Sequence, residues 1–249
     1  MLNDLDLPDK IAGLSVCTGI GGLDIALAEW VEPVAYCECD PDAQAALLSR
    51  MQEGLLPNCP IWDDLRTLRG DQLNGIKIIY GGFPCQGFSV AGLGKGLGDE
   101  RSLLVLEIFR LCGELGPQFL FLENVPAITS RGGLEIVGAL ADMGYDCRWC
   151  VIYAWEAGAP FKESARWFLL AKANSAGWEG VRPAETSRNT IPASICQKSW
   201  VSWKVEPGPD SAIAGLPRGM GYVYRLYGNA VVPEQARMAF QILMFGGCE

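Results

Sequence analysis

At residues 78–89 the chain reads Ile-Ile-Tyr-Gly-Gly-Phe-Pro-Cys-Gln-Gly-Phe-Ser. Short apolar runs that end in turn residues are typical of buried strands, so this stretch predicts a strand that stops at two glycines. A loop at the carboxyl end of such a strand is where open α/β sheets place their chemistry. The stretch therefore predicts an α/β fold, with Cys85 as a candidate nucleophile. The competing interpretation is a buried structural thiol, since the chain has 10 cysteines.

Composition narrows the possible chemistry. The 249 residues are 49% hydrophobic, which suits one α/β domain with a small appendage. There is no histidine, so imidazole bases, imidazole metal ligands and histidine triads are excluded. Acid–base work must fall to carboxylates, cysteine, lysine, tyrosine or water.

Charge and hydropathy bear on partners and location. The net charge of −9 argues against a general nucleic-acid coat, but Lys and Arg outnumber Asp and Glu after residue 161. This asymmetry predicts that the later part meets a polyanion; a merely acidic surface on the first part is the alternative. No apolar stretch reaches membrane-spanning length, and the N-terminus lacks the layout of a signal peptide. We expect a cytoplasmic protein with reduced thiols and no membrane partner.

A cofactor turn is predicted near the N-terminus. A short strand, residues 13–17, runs into Thr18-Gly19-Ile20-Gly21-Gly22 and then a helix from Leu23 to Trp30. The next strand, residues 33–37, ends at Glu38. A carboxylate about 20 residues past such glycines typically bonds ribose hydroxyls. Strand, glycine turn, helix and Glu38 together predict an adenosine-containing cofactor.

Polar residues follow a second strand, predicted over residues 117–122. Glu123 and Asn124 come directly after it, and Arg166 lies near the start of a later strand, residues 165–171. A buried glutamate can stay protonated at neutral pH and then donate a proton. The alternative for Glu123-Asn124 is a surface turn.

The remaining segments are a glycine-rich loop and a loop-rich region. Residues 92–98 hold four glycines and predict a mobile lid. Residues 172–222 mix prolines, tryptophans and basic side chains, which suits nucleic-acid contact; tryptophans that pin loops onto the main domain are the alternative. A helix over 233–245 closes the pattern. Two cysteine pairs, 37/39 and 147/150, were weighed as a zinc site, but both lie in predicted strands, and no metal is expected.

Taken together, these motifs resemble the DNA cytosine-5 methyltransferases, in the order of that family. The matching stretches are Thr18–Leu23, Pro84-Cys85-Gln86, Asp99–Leu104, Glu123-Asn124-Val125 and Gly228-Asn229-Ala230-Val231 with Pro233. The resemblance implies a doubly wound, mostly parallel, Rossmann-like methyltransferase sheet with a short loop-rich target-recognition insertion. It divides the chain into a catalytic domain over 1–171, a recognition region over 172–222 and a returning segment over 223–249.

The resemblance also implies roles for individual residues. The implied catalytic residues are Cys85, Glu123, Asn124 and Arg166. The implied binding residues for S-adenosylmethionine are Thr18, Gly19, Ile20, Gly21, Gly22, Glu38, Cys39, Asp64, Leu65, Gly82, Pro84, Leu104, Asn229 and Ala230. Three departures stand out: Cys17 occupies the place of a phenylalanine that stacks on adenine, Ser164 occupies the place of the first of two arginines of which Arg166 is the second, and the recognition region is short for the family.

The implied activity is methyl transfer to C5 of cytosine through a covalent bond between Cys85 and C6. The implied partner is double-stranded DNA, bound by a monomer in a bacterial or phage-infected cell, as in restriction-modification. Three alternatives remain: a tRNA cytosine-5 methyltransferase of the same fold, a catalytically weakened DNA-binding relative, and an NAD-dependent oxidoreductase, which the turn and Glu38 also fit.

Overall fold

The computed structural model describes residues 10–84, 104–159, 165–174 and 231–246. In this part of the chain the strands form one sheet in the order β3-β2-β1-β4-β5-β7-β6. The strands are β1 Ile11–Val16, β2 Val31–Cys37, β3 Ile61–Trp62, β4 Ile78–Gly82, β5 Phe119–Asn124, β6 Tyr145–Tyr153 and β7 Ala165–Ala173. The first five pair in parallel, and β7 pairs antiparallel with both β5 and β6, so that among these seven strands β7 runs against the others. The predicted α/β fold with a mostly parallel sheet is confirmed.

Helices cover both faces of the sheet. They are α1 Gly22–Leu27, α2 Pro41–Gln52, α3 Leu104–Leu115, α4 Ile128–Arg131, α5 Gly133–Asp142 and α6 Pro233–Phe245, with a 3-10 turn at Gly70–Gln72. Apolar side chains of α3 and α5 pack into the core on one face, and those of α1 and α6 pack on the other. This two-sided covering is what makes the fold doubly wound. In the described ranges no helix is both long and apolar enough to cross a membrane.

Element bounds differ from the sequence prediction in places. The helix predicted to reach Trp30 ends at Leu27, because the Trp30 N–H turns back to the Leu27 carbonyl and β2 begins at Val31. Strand β2 begins two residues before the predicted Pro33. Its register with β1 shifts between Gly13 and Leu14, a bulge of the kind that lets a sheet accommodate a proline. Helix α4 was not predicted.

Strand direction decides which side chains meet. The carboxyl ends of parallel strands β1, β2, β4 and β5 lie at one edge of the sheet. Because β7 runs antiparallel to β5, its beginning lies at that same edge, with Asn124 opposite Trp167. Arg166 is thereby brought beside the end of β5.

Candidate active site

The glycine turn after β1 is wound tightly by its backbone. The φ angle is positive at Cys17 (48°), Gly19 (58°) and Gly21 (83°). The Thr18 hydroxyl lies 3.2 Å from the Ser15 carbonyl oxygen and 3.3 Å from that of Cys37. The turn is thus attached to both β1 and β2. A Cβ added at Gly19 would meet nothing within 4 Å, so the backbone there faces open space.

Glu38 and the glycine turn are in direct contact. The Gly19 N–H donates to one carboxylate oxygen at 2.6 Å, and the Asp40 N–H donates to the other at 2.8 Å. Gln44 donates to the Glu38 backbone carbonyl at 2.5 Å. Each carboxylate oxygen can accept more than one hydrogen bond, so Glu38 can also receive ribose hydroxyls.

The other predicted cofactor residues lie around this edge. Asp64 is partly buried and accepts hydrogen bonds from the Arg66 guanidinium, at 2.9 and 3.0 Å, which hold its pKa below the usual range. Its neighbour Leu65 is a core residue, whereas Cys39 is exposed. Burial, followed by the charge of Glu38, raises the pKa of the Cys17 thiol.

Tight packing fixes the ends of the turn and of β4. Ile20 is buried, and Gly22 packs against Val231, whose backbone oxygen a Cβ would approach to 3.1 Å. Leu104 opens α3 and is partly buried, as are Gly82 and Pro84 at the end of β4. The roles of these residues toward a cofactor stay predictions.

Glu123 ends β5 in a buried ion pair. Its Oε1 lies 3.0 Å from Arg166 Nε, and both side chains are largely shielded from solvent. Burial raises the pKa of Glu123 to about 7, and the Arg166 charge opposes the shift. The alternative of a surface turn is wrong, because Glu123 and Asn124 belong to a strand with only 8% and 3% of their surfaces exposed.

Gly82 leaves the room that Glu123 occupies. The two residues are paired across β4 and β5, and a Cβ on Gly82 would stand 2.5 Å from Glu123 Oε2. A glycine is therefore required here for close approach, although its backbone needs no special φ.

Asn124 connects this carboxylate to the backbone before Cys85. Its Nδ2 donates to the Phe83 carbonyl at 3.0 Å, and its Oδ1 accepts from the Val125 N–H at 2.8 Å. Phe83 stands two residues before Cys85 in the sequence. Cys85 itself lies outside the described residues, as do the predicted lid at 92–98, Asn229 and Ala230.

The two cysteine pairs weighed as a zinc site lie apart. Cys37 ends β2, while Cys147 and Cys150 lie in β6, beyond four intervening strands. Cys147 and Cys150 also pack into cores on opposite faces of the sheet. Among the described side chains no group of three metal-ligating residues is assembled.

Sequence reasoning missed a buried carboxyl group on α1. Asp24 accepts a hydrogen bond from the Tyr80 hydroxyl at 2.7 Å and one from the Ser15 hydroxyl at 3.2 Å. The available signal was its place one helical turn from Leu27, inside the apolar stripe of α1. A carboxylate in such a stripe needs partners, and both come from the sheet below.

The fold and the edge residues together define a class. A sheet in the order 3-2-1-4-5-7-6 carries a glycine turn after β1, the carboxylate Glu38 after β2 and a Glu-Asn pair at the end of β5. This is the architecture of Rossmann-like methyltransferases. The profile of the C-5 cytosine-specific DNA methylases matches residues 11–204, and the chain belongs to that family.

Relatives and solved structures agree with this assignment. The chain is 29% identical to the type II methyltransferase M.CviJI of Paramecium bursaria Chlorella virus IL3A, over 95% of this chain and 60% of that protein. It is 29% identical to M.HhaI of Haemophilus parahaemolyticus, over 64% and 49%. The S. pombe Dnmt2 structure shares the fold, with a TM-score of 0.57 and 22% identity over 78% of this chain and 57% of that chain. The chain spans about half of the length of the curated relatives it matches, from 46% to 60% for the first three.

Proposed function

We propose that this chain transfers a methyl group from S-adenosylmethionine to C5 of cytosine in DNA. The observation that carries the proposal is the Asn124 hydrogen bond to the Phe83 carbonyl. It joins the buried Glu123–Arg166 pair to the backbone that leads into Pro84 and Cys85. A proton donor and a cation thus lie at one edge of the sheet, where the strand that precedes Cys85 in the sequence also ends.

The cofactor edge fits S-adenosylmethionine on its own geometry. Open space faces Gly19, and Glu38 is fixed by two backbone N–H groups while keeping acceptor capacity. Glu38 would hold the ribose, Asp64 and Leu65 the adenine, and the turn from Thr18 to Gly22 the amino-acid end. When bound, the cofactor supplies an electrophilic methyl group.

The chain's own residues would activate cytosine, whose C5 is a poor nucleophile. The Cys85 thiolate bonds to C6, and the electron pair of the C5–C6 double bond becomes available at C5. Protonated Glu123 hydrogen-bonds or protonates N3, so that the ring can accept electrons, and Arg166 offsets charge near O2. After methylation a base, with water as our candidate, removes the C5 proton, the double bond re-forms and the thiolate leaves.

The burial of Glu123 determines how a cytosine in DNA must be presented to it. A cytosine stacked in a duplex cannot reach Glu123, which is buried, so the base must be flipped out. We assign residues 172–222 to target recognition and 92–98 to the closing lid, on their composition.

The test is trapping on duplex DNA that contains 5-fluorocytosine, because fluorine cannot leave C5 as a proton does. With S-adenosylmethionine the wild-type chain should form an adduct that survives denaturation, and Cys85→Ser should form none. Cys59→Ser is the matched control, since Cys59 is a thiol that donates to the Pro33 carbonyl away from the site. If Cys85→Ser still methylates C5, the assignment of Cys85 as the nucleophile is wrong.

A parallel assay decides the substrate. Wild-type chain is incubated with duplex DNA and with tRNA, and bisulfite sequencing reports which cytosines are methylated. Modification of tRNA alone would overturn DNA as the substrate while preserving the chemistry. Binding of S-adenosylhomocysteine but not NAD, measured by calorimetry, excludes the oxidoreductase alternative.

A further inference from the structure

A buried hydrogen-bond network joins the strand that leads to Cys85 with the cofactor turn. The Asp24 carboxylate on α1 accepts hydrogen bonds from the Tyr80 hydroxyl on β4 and from the Ser15 hydroxyl on β1. The backbone carbonyl of that same Ser15 accepts the Thr18 hydroxyl from the turn. The chain of contacts therefore runs from β4 through α1 and β1 to the residue that precedes Gly19.

The sheet is shaped to let Tyr80 reach Asp24. The Tyr80 ring lies over Gly13, where an added Cβ would stand 2.8 Å from a ring carbon. Tyr80 is fully buried, and Asp24 keeps only 5% of its surface exposed. The Tyr80–Asp24 pair is thus deeply buried, and it depends on the absence of a side chain at Gly13 beneath the Tyr80 ring.

The charge state of Asp24 suits an acceptor. Burial raises its pKa to about 6, while the hydrogen bonds from Tyr80 and Ser15 lower it, followed by the more distant Arg50 charge. Near neutral pH the group is mainly the carboxylate, which can accept both hydroxyls at once. The pKa of Tyr80 lies well above its ordinary value, so its hydroxyl keeps the proton that it donates.

We propose that Asp24 is a positioning residue for cofactor binding, which sets the glycine turn against β1 and β4 through Ser15 and Tyr80. Asp24 touches neither cofactor nor substrate in this role. It sits three residues past Gly21, so the height of α1 over the sheet determines where the turn holds its backbone N–H groups. This inference rests on the proposed function, because it assumes that the turn binds S-adenosylmethionine.

The role predicts a loss of cofactor affinity without an equal loss of turnover. Removing one hydroxyl leaves the buried carboxylate short of a donor, and α1 then shifts or admits water. Tyr80→Phe should weaken S-adenosylhomocysteine binding roughly tenfold, raise KM for S-adenosylmethionine similarly, and leave kcat at saturating cofactor within about threefold.

The matched control is Tyr145→Phe. Tyr145 is also buried, and its hydroxyl donates to the Pro117 carbonyl at 2.8 Å, far from the turn. Both variants lose one buried hydroxyl bond and should lower Tm, Tyr80→Phe by the larger amount because its hydroxyl donates to a carboxylate, but Tyr145→Phe should leave cofactor affinity unchanged. If the two variants show equal affinities for S-adenosylhomocysteine, the network is only structural and the inference is overturned.

Ser15→Ala provides a second route if Tyr80→Phe folds poorly. It should also weaken the cofactor, and the two changes should combine non-additively because they share one acceptor. Simple additivity would count against a common network. If the wild-type protein does not bind S-adenosylhomocysteine, the proposed function itself is overturned, together with the role of the glycine turn in binding the cofactor. Wild-type binding with unaffected variants overturns the inference alone.

Discussion

Glu123 and Asp24 are two buried carboxyl groups with opposite partners. Glu123 faces the Arg166 guanidinium, and Asp24 accepts two neutral hydroxyls. Burial raises the pKa of both groups, that of Glu123 from 4.5 to about 7 and that of Asp24 from 3.8 to about 6. The Arg166 charge opposes the first shift, and hydrogen bonds from Tyr80 and Ser15 oppose the second. Near neutrality Glu123 is shared between acid and carboxylate and can donate a proton, whereas Asp24 mainly accepts. The two groups therefore differ in their partners more than in their burial: Asp24 is held by two hydroxyl donors, whereas Glu123 is paired with one guanidinium.

The largest expected effect separates the two groups by kinetics. Glu123→Gln keeps the shape but cannot transfer a proton to N3, so kcat should fall about 100-fold or more. Its affinity for S-adenosylhomocysteine should stay within about twofold, because Glu123 lies at the β5 edge and Glu38 at the β2 edge. Radiolabelled methyl transfer and calorimetry measure the two quantities.

Asp24→Asn is the matched buried-carboxyl variant for that experiment. It should show the reverse pattern, with weaker cofactor binding and a kcat close to wild type at saturating cofactor. Similar losses of kcat and of affinity in both variants would remove the distinction between donor and acceptor.

A smaller effect is expected from filling the space beside Glu123. In Gly82→Ala the new Cβ would stand 2.5 Å from Glu123 Oε2, so the carboxylate must move and its 3.0 Å contact with Arg166 must change. Turnover should fall roughly tenfold or more, with a stability loss of about 1–3 kcal/mol typical of overpacking.

Gly138→Ala is the control, since a Cβ on this α5 residue meets nothing within 4 Å. It should raise stability by about 0.5–1 kcal/mol, because alanine favours helix interiors, and leave turnover unchanged. Thermal unfolding and a turnover assay check both variants. A fully active Gly82→Ala protein would show that the exact position of Glu123 is not needed.

The sequence could predict Glu38, Glu123 and Arg166 because each stands at a strand end, and strand ends follow from apolar runs and turns. The position of each of these side chains at a strand end can therefore be predicted from the residues next to it in the sequence. The Tyr80–Asp24 contact could not be predicted, since it depends on how high α1 sits over β4 and on the room left at Gly13. The direction of β7 was equally hidden, because an apolar strand has the same pattern whether it runs parallel or antiparallel. Without that direction, the 3.0 Å approach of Arg166 to Glu123 cannot be derived.

The last expected effect is a pH dependence that belongs to Glu123 and not to Asp24. With a pKa raised to about 7, Glu123 is protonated below that pH and loses its proton as the pH rises through it. A step that needs the protonated form should therefore slow about tenfold per pH unit above about pH 7. Ionisation of the Cys85 thiol acts in the opposite direction, so the useful quantity is the ratio of single-turnover rates, wild type over Glu123→Gln, at each pH.

That ratio should fall from about pH 7 to about pH 9, because only the wild type has a titrating group at position 123. The ionisation of Cys85 affects both rates equally and drops out of the ratio. The same ratio is measured in the Asp24→Asn background, as the rate of Asp24→Asn over that of the double variant Asp24→Asn/Glu123→Gln. It should fall over the same pH range, because the Asp24 carboxyl accepts hydrogen bonds and does not supply the proton. A flat ratio across this range would show that the proton on Glu123 is not used, and the two buried carboxyl groups would then differ in position but not in chemistry.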